Sequence, residues 1–209
     1  MLSRLLSHIF SRRKKKRPKP PGRWRIARAQ RVIIGAGLSA QDGWLATDRA
    51  LLDVTDRASF ARYWSPGSRV AFFAEHVWEH LTEAQARAAI ANCFEFLRPG
   101  GTLRLAVPDG MNPDPAYRAH VRPGGTGPGA DDHKILFDHR SLGALLASAG
   151  FQVERLEYWD EGGRFHHTDW TSDCGHIQRS RRYDRRNQNG VLGYTSLILD
   201  GIKPAGSNA

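Results

Sequence analysis

Several groups of residues in this chain have types and spacings that can do chemistry. Gly35-Ala36-Gly37-Leu38-Ser39-Ala40 follows the apolar run Val32–Ile34 and fits the G-x-G-x-x-G/A pattern, in which glycines let a cofactor approach the backbone closely. Asp132-His133 sets a carboxylate next to an imidazole, and such a neighbour can orient the ring and raise its basicity. His76, Asp109, Asp131, His166 and His167 are further candidates for proton transfer; we take His133 first as the base and His76 second. Arg179, Arg181, Arg182, Arg185 and Arg186 gather around Tyr183 and Asp184. Such a group either holds a phosphate, carboxylate or sulfate on a substrate or forms a solvated face with local ion pairs. His166, His167, Asp169, Asp173, Cys174 and His176 crowd together, but without paired C-x-x-C or H-x-x-x-H spacing, so no metal is expected there.

These residues need a scaffold, and the texture from Arg31 onward supplies one. Short apolar runs at Val32–Ile34, Trp44–Thr47, Leu51–Val54, Arg69–Ala74, Leu103–Val107, Phe151–Tyr158 and Ser196–Ile202 read as strands. Thr82 and Gln85 have capping-box spacing, and Ala86, Ala89, Ile90, Cys93 and Leu97 follow at helical spacing until Pro99-Gly100-Gly101. A second helix is expected over Ser141–Ala149, ending before Gly150. Residues 110–132, dense in Pro and Gly, read as a long loop; within it Gly124–Gly129 is either a cover over the site or a surface loop. Strands alternating with helices predict an α/β fold on a largely parallel sheet.

The glycine loop separates two readings. A dinucleotide fingerprint requires a helix starting at the loop, with its N-terminus on a pyrophosphate. Asp42-Gly43 interrupts any such helix, and only six residues separate Gly37 from Trp44, against the dozen or so a crossover helix needs. Dinucleotide binding is therefore disfavoured. The chain instead resembles class I S-adenosylmethionine-dependent methyltransferases, in particular the small methyltransferase-like group with a shortened first crossover. The resemblance rests on Val32-Ile33-Ile34-Gly35-Ala36-Gly37, Gly43-Trp44-Leu45-Ala46-Thr47-Asp48, Leu52-Asp53-Val54, Phe73-Ala74-Glu75-His76-Val77-Trp78-Glu79-His80-Leu81, Leu97-Arg98-Pro99-Gly100-Gly101-Thr102-Leu103-Arg104 and Val107-Pro108-Asp109. It covers about residues 32–203. Two departures are plain: Ile33 or Ile34 stands where the family has an acidic residue before the loop, and a third glycine is missing.

The resemblance implies a Rossmann-like methyltransferase sheet, mostly parallel with an antiparallel last strand and truncated at the first crossover. It implies S-adenosylmethionine as cofactor, with Gly35, Ala36 and Gly37 along its methionine and ribose portion and Asp48 accepting from the ribose hydroxyls. Asp53 and Val54 would then lie beside the adenine, and Ala74, Glu75 and His76 would close over the methionine end. Asp48 and Asp53 also read as plain turn acceptors. With methyl transfer as the reaction, catalytic work falls to His133, His76 and Asp132, and acceptor binding to Asp109, Arg179, Arg182 and Tyr183. The acceptor is expected to be a small or glycan-like molecule methylated on oxygen or nitrogen. The rival readings are a non-catalytic, membrane-associated binding module that keeps the fold, and an RNA-directed methyltransferase.

Charge bears on that choice. The chain of 209 residues carries 31 Lys+Arg and 21 Asp+Glu, a formal net charge of +10, which invites a nucleic acid or an anionic membrane. Residues 1–31 hold twelve of the basic residues and no Asp or Glu; subtraction leaves 19 basic and 21 acidic residues, a net of −2, for 32–209. A nucleic-acid footprint normally extends over the folded face, so the near-neutral domain argues against RNA as a partner. Residues 1–30 are expected to be a flexible basic arm, 31–204 the methyltransferase domain and 205–209 a disordered tail. Leu2, Leu5, Leu6, Ile9 and Phe10 at helical spacing before Arg12–Arg17 suit peripheral contact with an anionic membrane through residues 1–22; a solvated extension, nucleic-acid contact and an organelle-targeting segment are the alternatives. No apolar run approaches the roughly 20 residues a spanning helix needs. Cys93 and Cys174 alone exclude a disulfide framework and suit a reducing compartment, so a cytoplasmic location is expected.

Overall fold

A computed structural model describes residues 21–187 and 190–206. The expectations for residues 1–20 and for the tail at 207–209 fall outside the described residues.

The fully buried run Val32-Ile33-Ile34 forms the centre of β1 (Arg31–Ile34), an apolar strand covered on both faces as parallel strands are. It pairs in parallel with β2 (Leu45–Ala46) on one side and β3 (Arg69–Glu75) on the other. β3 pairs in parallel with β4 (Leu97–Val107). β5 (Gln152–Trp159), β6 (Phe165–His167) and β7 (Leu197–Ile202) complete a seven-stranded sheet in the order β2-β1-β3-β4-β7-β5-β6. β7 is antiparallel to both β4 and β5, as expected of the last strand. β6, which the sequence did not signal, returns antiparallel along β5 and occupies the edge.

Helices collect on one face. α1 (Arg23–Arg28), α2 (Arg57–Ala61), α3 (Glu83–Phe96) and α5 (His139–Ser148) bring Ile26, Phe60, Ile90, Phe96, Leu142 and Leu146 against Val32, Ile34, Phe72 and Leu105. The capping box at the start of α3 is formed as its spacing predicted, Thr82 N–H donating to Gln85 Oε1 at 2.9 Å and Gln85 N–H to Thr82 Oγ1 at 3.4 Å. The opposite face shows Ile33, Phe73, Ala106, Leu156 and Ile198. With no room for a helix between β1 and β2, it is covered by irregular chain: Trp44 packs edge-on against Phe73, and Trp170 and Ile177 lie alongside. Arg104 of β4 fastens this cover. It is 3% exposed, grips Asp200 through two hydrogen bonds of 2.8 and 2.7 Å, and donates to the carbonyls of Thr171 (2.7 Å) and Gly175 (2.8 Å).

Three expectations are corrected. Leu51–Val54 is not a strand: Asp48 Oδ1 accepts the N–H groups of Ala50 and Leu51, closing a turn, and Leu52 and Val54 are buried from irregular backbone. Residues 110–132 are not one loop, because Asp114 caps α4 (Pro115–Val121), with Pro115 in the first turn where its missing N–H costs nothing. Residues 23–30, placed in the flexible arm, belong to the folded body: Ile26 is buried in the core, and its carbonyl accepts a 2.8 Å hydrogen bond from Trp64 Nε1.

Candidate functional site

The carboxyl ends of β1 and β3 carry the two turns that shape the site. Beyond Ile34, the Ala36 N–H donates to Thr47 O (2.7 Å), and Thr47 returns its N–H (2.9 Å) and its hydroxyl (2.7 Å) to Ile33 O. These bonds continue the β1–β2 pairing one step and hold the glycine loop flush with the sheet edge. Gly35 has φ +63° and no room for a side chain, since a Cβ would lie 2.5 Å from Val77 Cγ2. Beyond β3, His76 has φ +56°, a left-handed backbone unmatched among the described non-glycine residues. A 3₁₀ turn over Trp78–His80 follows at once.

Two adjoining cavities open at these turns. The smaller, about 430 Å³, is walled by Leu52, Asp53, Val54, Val77 and Leu81, with Lys134 at its rim. The larger, about 680 Å³, is lined by Gly37, Glu75, Glu79, His133, Arg186 and Tyr194 among others. Gly35, His76 and His80 belong to both. Such volumes lie within the usual range of small-molecule sites.

A buried polar chain runs behind the larger cavity. His76 Nδ1 lies 2.9 Å from Glu79 Oε1, and its Nε2 is 3.1 Å from the hydroxyl of Ser196. The Ser196 hydroxyl lies close to the Tyr194 phenol. Burial holds the phenols of Tyr194 and Tyr117 above their ordinary range. The Arg186 guanidinium lies 3.5 Å from the centre of the Tyr194 ring, paired with Asp184 at 2.8 and 2.7 Å.

The residues singled out in the sequence fall into three sets. Gly35, Ala36, Gly37, Glu75, His76, His133 and Arg179 line the larger cavity, and Asp53, Val54 and Asp132 the smaller. Within that set some side chains have structural duties. Glu75 accepts the N–H groups of Gln178 (3.1 Å) and Arg179 (2.7 Å), pinning that segment over the cavity. Asp53 Oδ1 accepts from Thr55 N and Oγ1, which pulls its carboxyl below the usual range. Ala74 and Asp48 line neither cavity: Ala74 is packed in the core, and Asp48 is exposed at the turn it caps.

The remaining candidates lie elsewhere. Asp109 is 0% exposed, and its oxygens accept from the N–H groups of Met111 (2.9 Å) and Trp159 (2.8 Å), so it clasps β4 to β5 instead of facing an acceptor. Burial raises its pKa to about 6. Arg182 and Tyr183 stand apart from both cavities, Arg182 over the Tyr183 ring and that ring against Trp170 and His176. Asp132 does not orient His133. Its oxygens lie 2.9 Å from Lys134 Nζ and 3.3 Å from His80 Nδ1, while His133 Nδ1 donates to Val121 O at 2.7 Å; neighbours in sequence point apart here. His166 pairs with Asp160 at 2.6 Å on the distant β6 edge. Tyr194, Ser196, Glu79 and His80 are polar site residues that the sequence did not single out by type or spacing.

No protein-family model matches the chain, and no curated protein is similar to it in sequence. Solved structures are similar in fold. An S-adenosylmethionine-dependent methyltransferase from Thermotoga maritima, described as a possible histamine N-methyltransferase, is 11% identical over 87% of this chain and 89% of its own, with a TM-score of 0.50. An S-adenosylmethionine-dependent methyltransferase from Mesorhizobium loti is 10% identical over 83% of this chain and 90% of its own, again at 0.50. Strand order, the antiparallel β7 and the position of the glycine loop agree with that likeness: the fold is that of the class I S-adenosylmethionine-dependent methyltransferases.

Proposed function

We propose that the protein is an S-adenosylmethionine-dependent methyltransferase acting on an oxygen or nitrogen of a small or glycan-like acceptor. The observation that carries this reading is the pair of cavities meeting at Gly35, His76 and His80, at the carboxyl ends of parallel strands, where α/β folds bind ligands. The residues fit the cofactor. Leu52, Val54, Val77 and Leu81 offer apolar walls to an adenine ring, and Asp53 offers a carboxylate to a ribose diol. A Cβ at Gly37 would meet nothing within 4 Å, so the loop leaves open space toward the methionine end. Asp48 supports this by capping the turn that carries Leu52, Asp53 and Val54.

When bound, S-adenosylmethionine supplies an activated methyl group on a sulfonium, so the chain is left with orientation, exclusion of water and removal of a proton. His76 is placed for the last task. Its Nδ1 stands 2.9 Å from the Glu79 carboxylate, and its Nε2 is 3.1 Å from the Ser196 hydroxyl, within reach of a proton passed along that side. A proton released in the larger cavity reaches Nε2 by way of the Tyr194 and Ser196 hydroxyls. Tyr194, its pKa raised, stays neutral and relays. Arg179 and Arg186 give that cavity a cationic wall suited to an anionic group on the acceptor. A cytoplasmic protein held against an anionic membrane by residues 1–22 completes the reading, on the strength of the basic arm.

Calorimetric titration with S-adenosylmethionine and with its demethylated product tests the reading. Binding to one site is expected, weakened about tenfold or more by Asp53→Ala, the loss of a charge-assisted hydrogen bond. No binding by the wild type overturns the enzyme reading. Unchanged affinity in Asp53→Ala, with a loss in Asp48→Ala, returns the ribose to Asp48.

A further inference from the structure

We infer that Glu79, His80 and His133 hold a divalent metal ion of the zinc class on the floor of the larger cavity. One ligand atom from each lies within 4.8 Å of the others. Glu79 is 1% exposed, and neither of its carboxylate oxygens has a hydrogen-bond partner, although His76 Nδ1 comes within 2.9 Å of Oε1. An unsolvated carboxylate without donors is costly, and a cation satisfies it. His80 Nδ1 is likewise buried without a hydrogen bond, only 3.3 Å from the Asp132 carboxylate.

The surroundings resemble an outer ligand shell. His133 donates its Nδ1–H to Val121 O at 2.7 Å, which fixes the tautomer and leaves Nε2 as a lone-pair donor, the arrangement that orients metal-bound histidines. The two ligand segments are stitched together, the N–H groups of Lys134 and Ile135 donating to Glu79 O at 2.6 and 3.3 Å. The His80 and His133 rings meet nearly edge to face, centroids 4.8 Å apart. Bonds of about 2.1 Å in a tetrahedral site bring ligand atoms to roughly 3.4 Å from one another, so the three ligand atoms, all within 4.8 Å of one another, draw closer when an ion is bound.

Two imidazoles and one carboxylate suit zinc and its first-row neighbours better than magnesium or calcium, which prefer oxygen donors throughout. Three protein ligands leave a position open, and all three residues line the cavity. On the methyltransferase reading, an acceptor hydroxyl takes that position. Its O–H bond breaks more easily there, the proton passing to His76 Nε2 and the oxygen keeping the electron pair that forms the new bond to the methyl carbon, while the methyl–sulfur bond breaks and its pair returns to the sulfonium sulfur, leaving a neutral thioether.

The test uses the full chain, stripped with a chelator and titrated with Co²⁺ in the absence of S-adenosylmethionine, so that its failure is separate from failure of cofactor binding. One equivalent is expected to bind with visible d–d bands that Zn²⁺ displaces. His80→Ala and His133→Ala each weaken binding at least about tenfold, and His176→Ala leaves it unchanged. If the variants misfold, long-range ¹H–¹⁵N spectra of the wild type decide: Zn²⁺ shifts the His80 and His133 ring nitrogens and spares His166. No saturable Co²⁺ binding, binding kept in both alanine variants, or ring shifts confined to other histidines overturns the inference.

Discussion

Gly35 and Gly37 stand two residues apart in one loop with nearly the same backbone, φ +63° and +56°, yet a methyl group meets different surroundings at each. At Gly37 a Cβ finds nothing within 4 Å, so Gly37→Ala pays only the left-handed backbone, about 1–2 kcal/mol. At Gly35 the same backbone cost is joined by a Cβ 2.5 Å from Val77 Cγ2, and forcing a methyl into packed space adds about 1–3 kcal/mol. The stiffening of the unfolded chain by alanine, about 0.4–1 kcal/mol in the opposite direction, is common to both variants and cancels in the comparison. Gly35→Ala is therefore expected to be the less stable by about 1–3 kcal/mol. With a urea slope of about 1–3 kcal/mol per molar, the two midpoints separate by roughly 1 M. The Val77→Ala background removes the colliding methyl, so the extra loss at Gly35 shrinks there while the loss at Gly37 does not, a coupling the double-mutant cycle reads directly. Because Gly35 is shared by both cavities, its variant also loses S-adenosylmethionine affinity by calorimetry. Coincident urea midpoints for the two single variants, or no rescue by Val77→Ala, refute the steric account.

Two further outcomes follow from buried groups. Arg104→Met strands the Asp200 carboxylate and frees the carbonyls of Thr171 and Gly175; a loss of about 3–5 kcal/mol is expected by urea unfolding, with part of it regained in Arg104→Met/Asp200→Leu, and equal stability of wild type and single variant would contradict the clamp. Asp109 binds its proton more tightly folded, near pH 6, than at its ordinary 3.8, so its contribution is fully present below about pH 4 and is lost as pH rises through about 6. The stability difference between wild type and Asp109→Asn should move against the wild type by about 3 kcal/mol between pH 3 and pH 7, and parallel pH profiles would show that the carboxyl is not so placed.

How far the sequence was legible depended on whether a signal was local. The capping box at Thr82, the apolar β1 run and the too-short stretch between Gly37 and Trp44 are local, and each led to a feature the structure has. The turn at 48–54 misled because buried Leu52 and Val54 imitate a strand whose hydrogen bonds Asp48 in fact terminates. Composition likewise made 110–132 a loop, although Asp114-Pro115 carries a helix start. Trp24 and Arg23 sit in a basic stretch whose charge said nothing of Ile26, one apolar residue that reaches the core.

The site itself was legible on one side only, and the sheet explains why. In parallel strands the site residues follow the strand, so searching just beyond Ile34 and Glu75 finds Gly35 and His76. β7 runs the other way. Its beginning, not its end, lies at that edge, so Tyr194 and Ser196 precede their strand and escape a search for residues that follow one. Glu79 escapes for a second reason, since 54 positions separate it from His133 in sequence and the two meet only because the segment from α4 folds back until Lys134 and Ile135 donate to Glu79 O. Asp109 shows the converse: it follows its parallel strand where a site residue should, and the backbone of β5 takes its carboxylate. Strand direction tells where to look, and only the hydrogen-bond partners tell which of the residues found there remain free for chemistry.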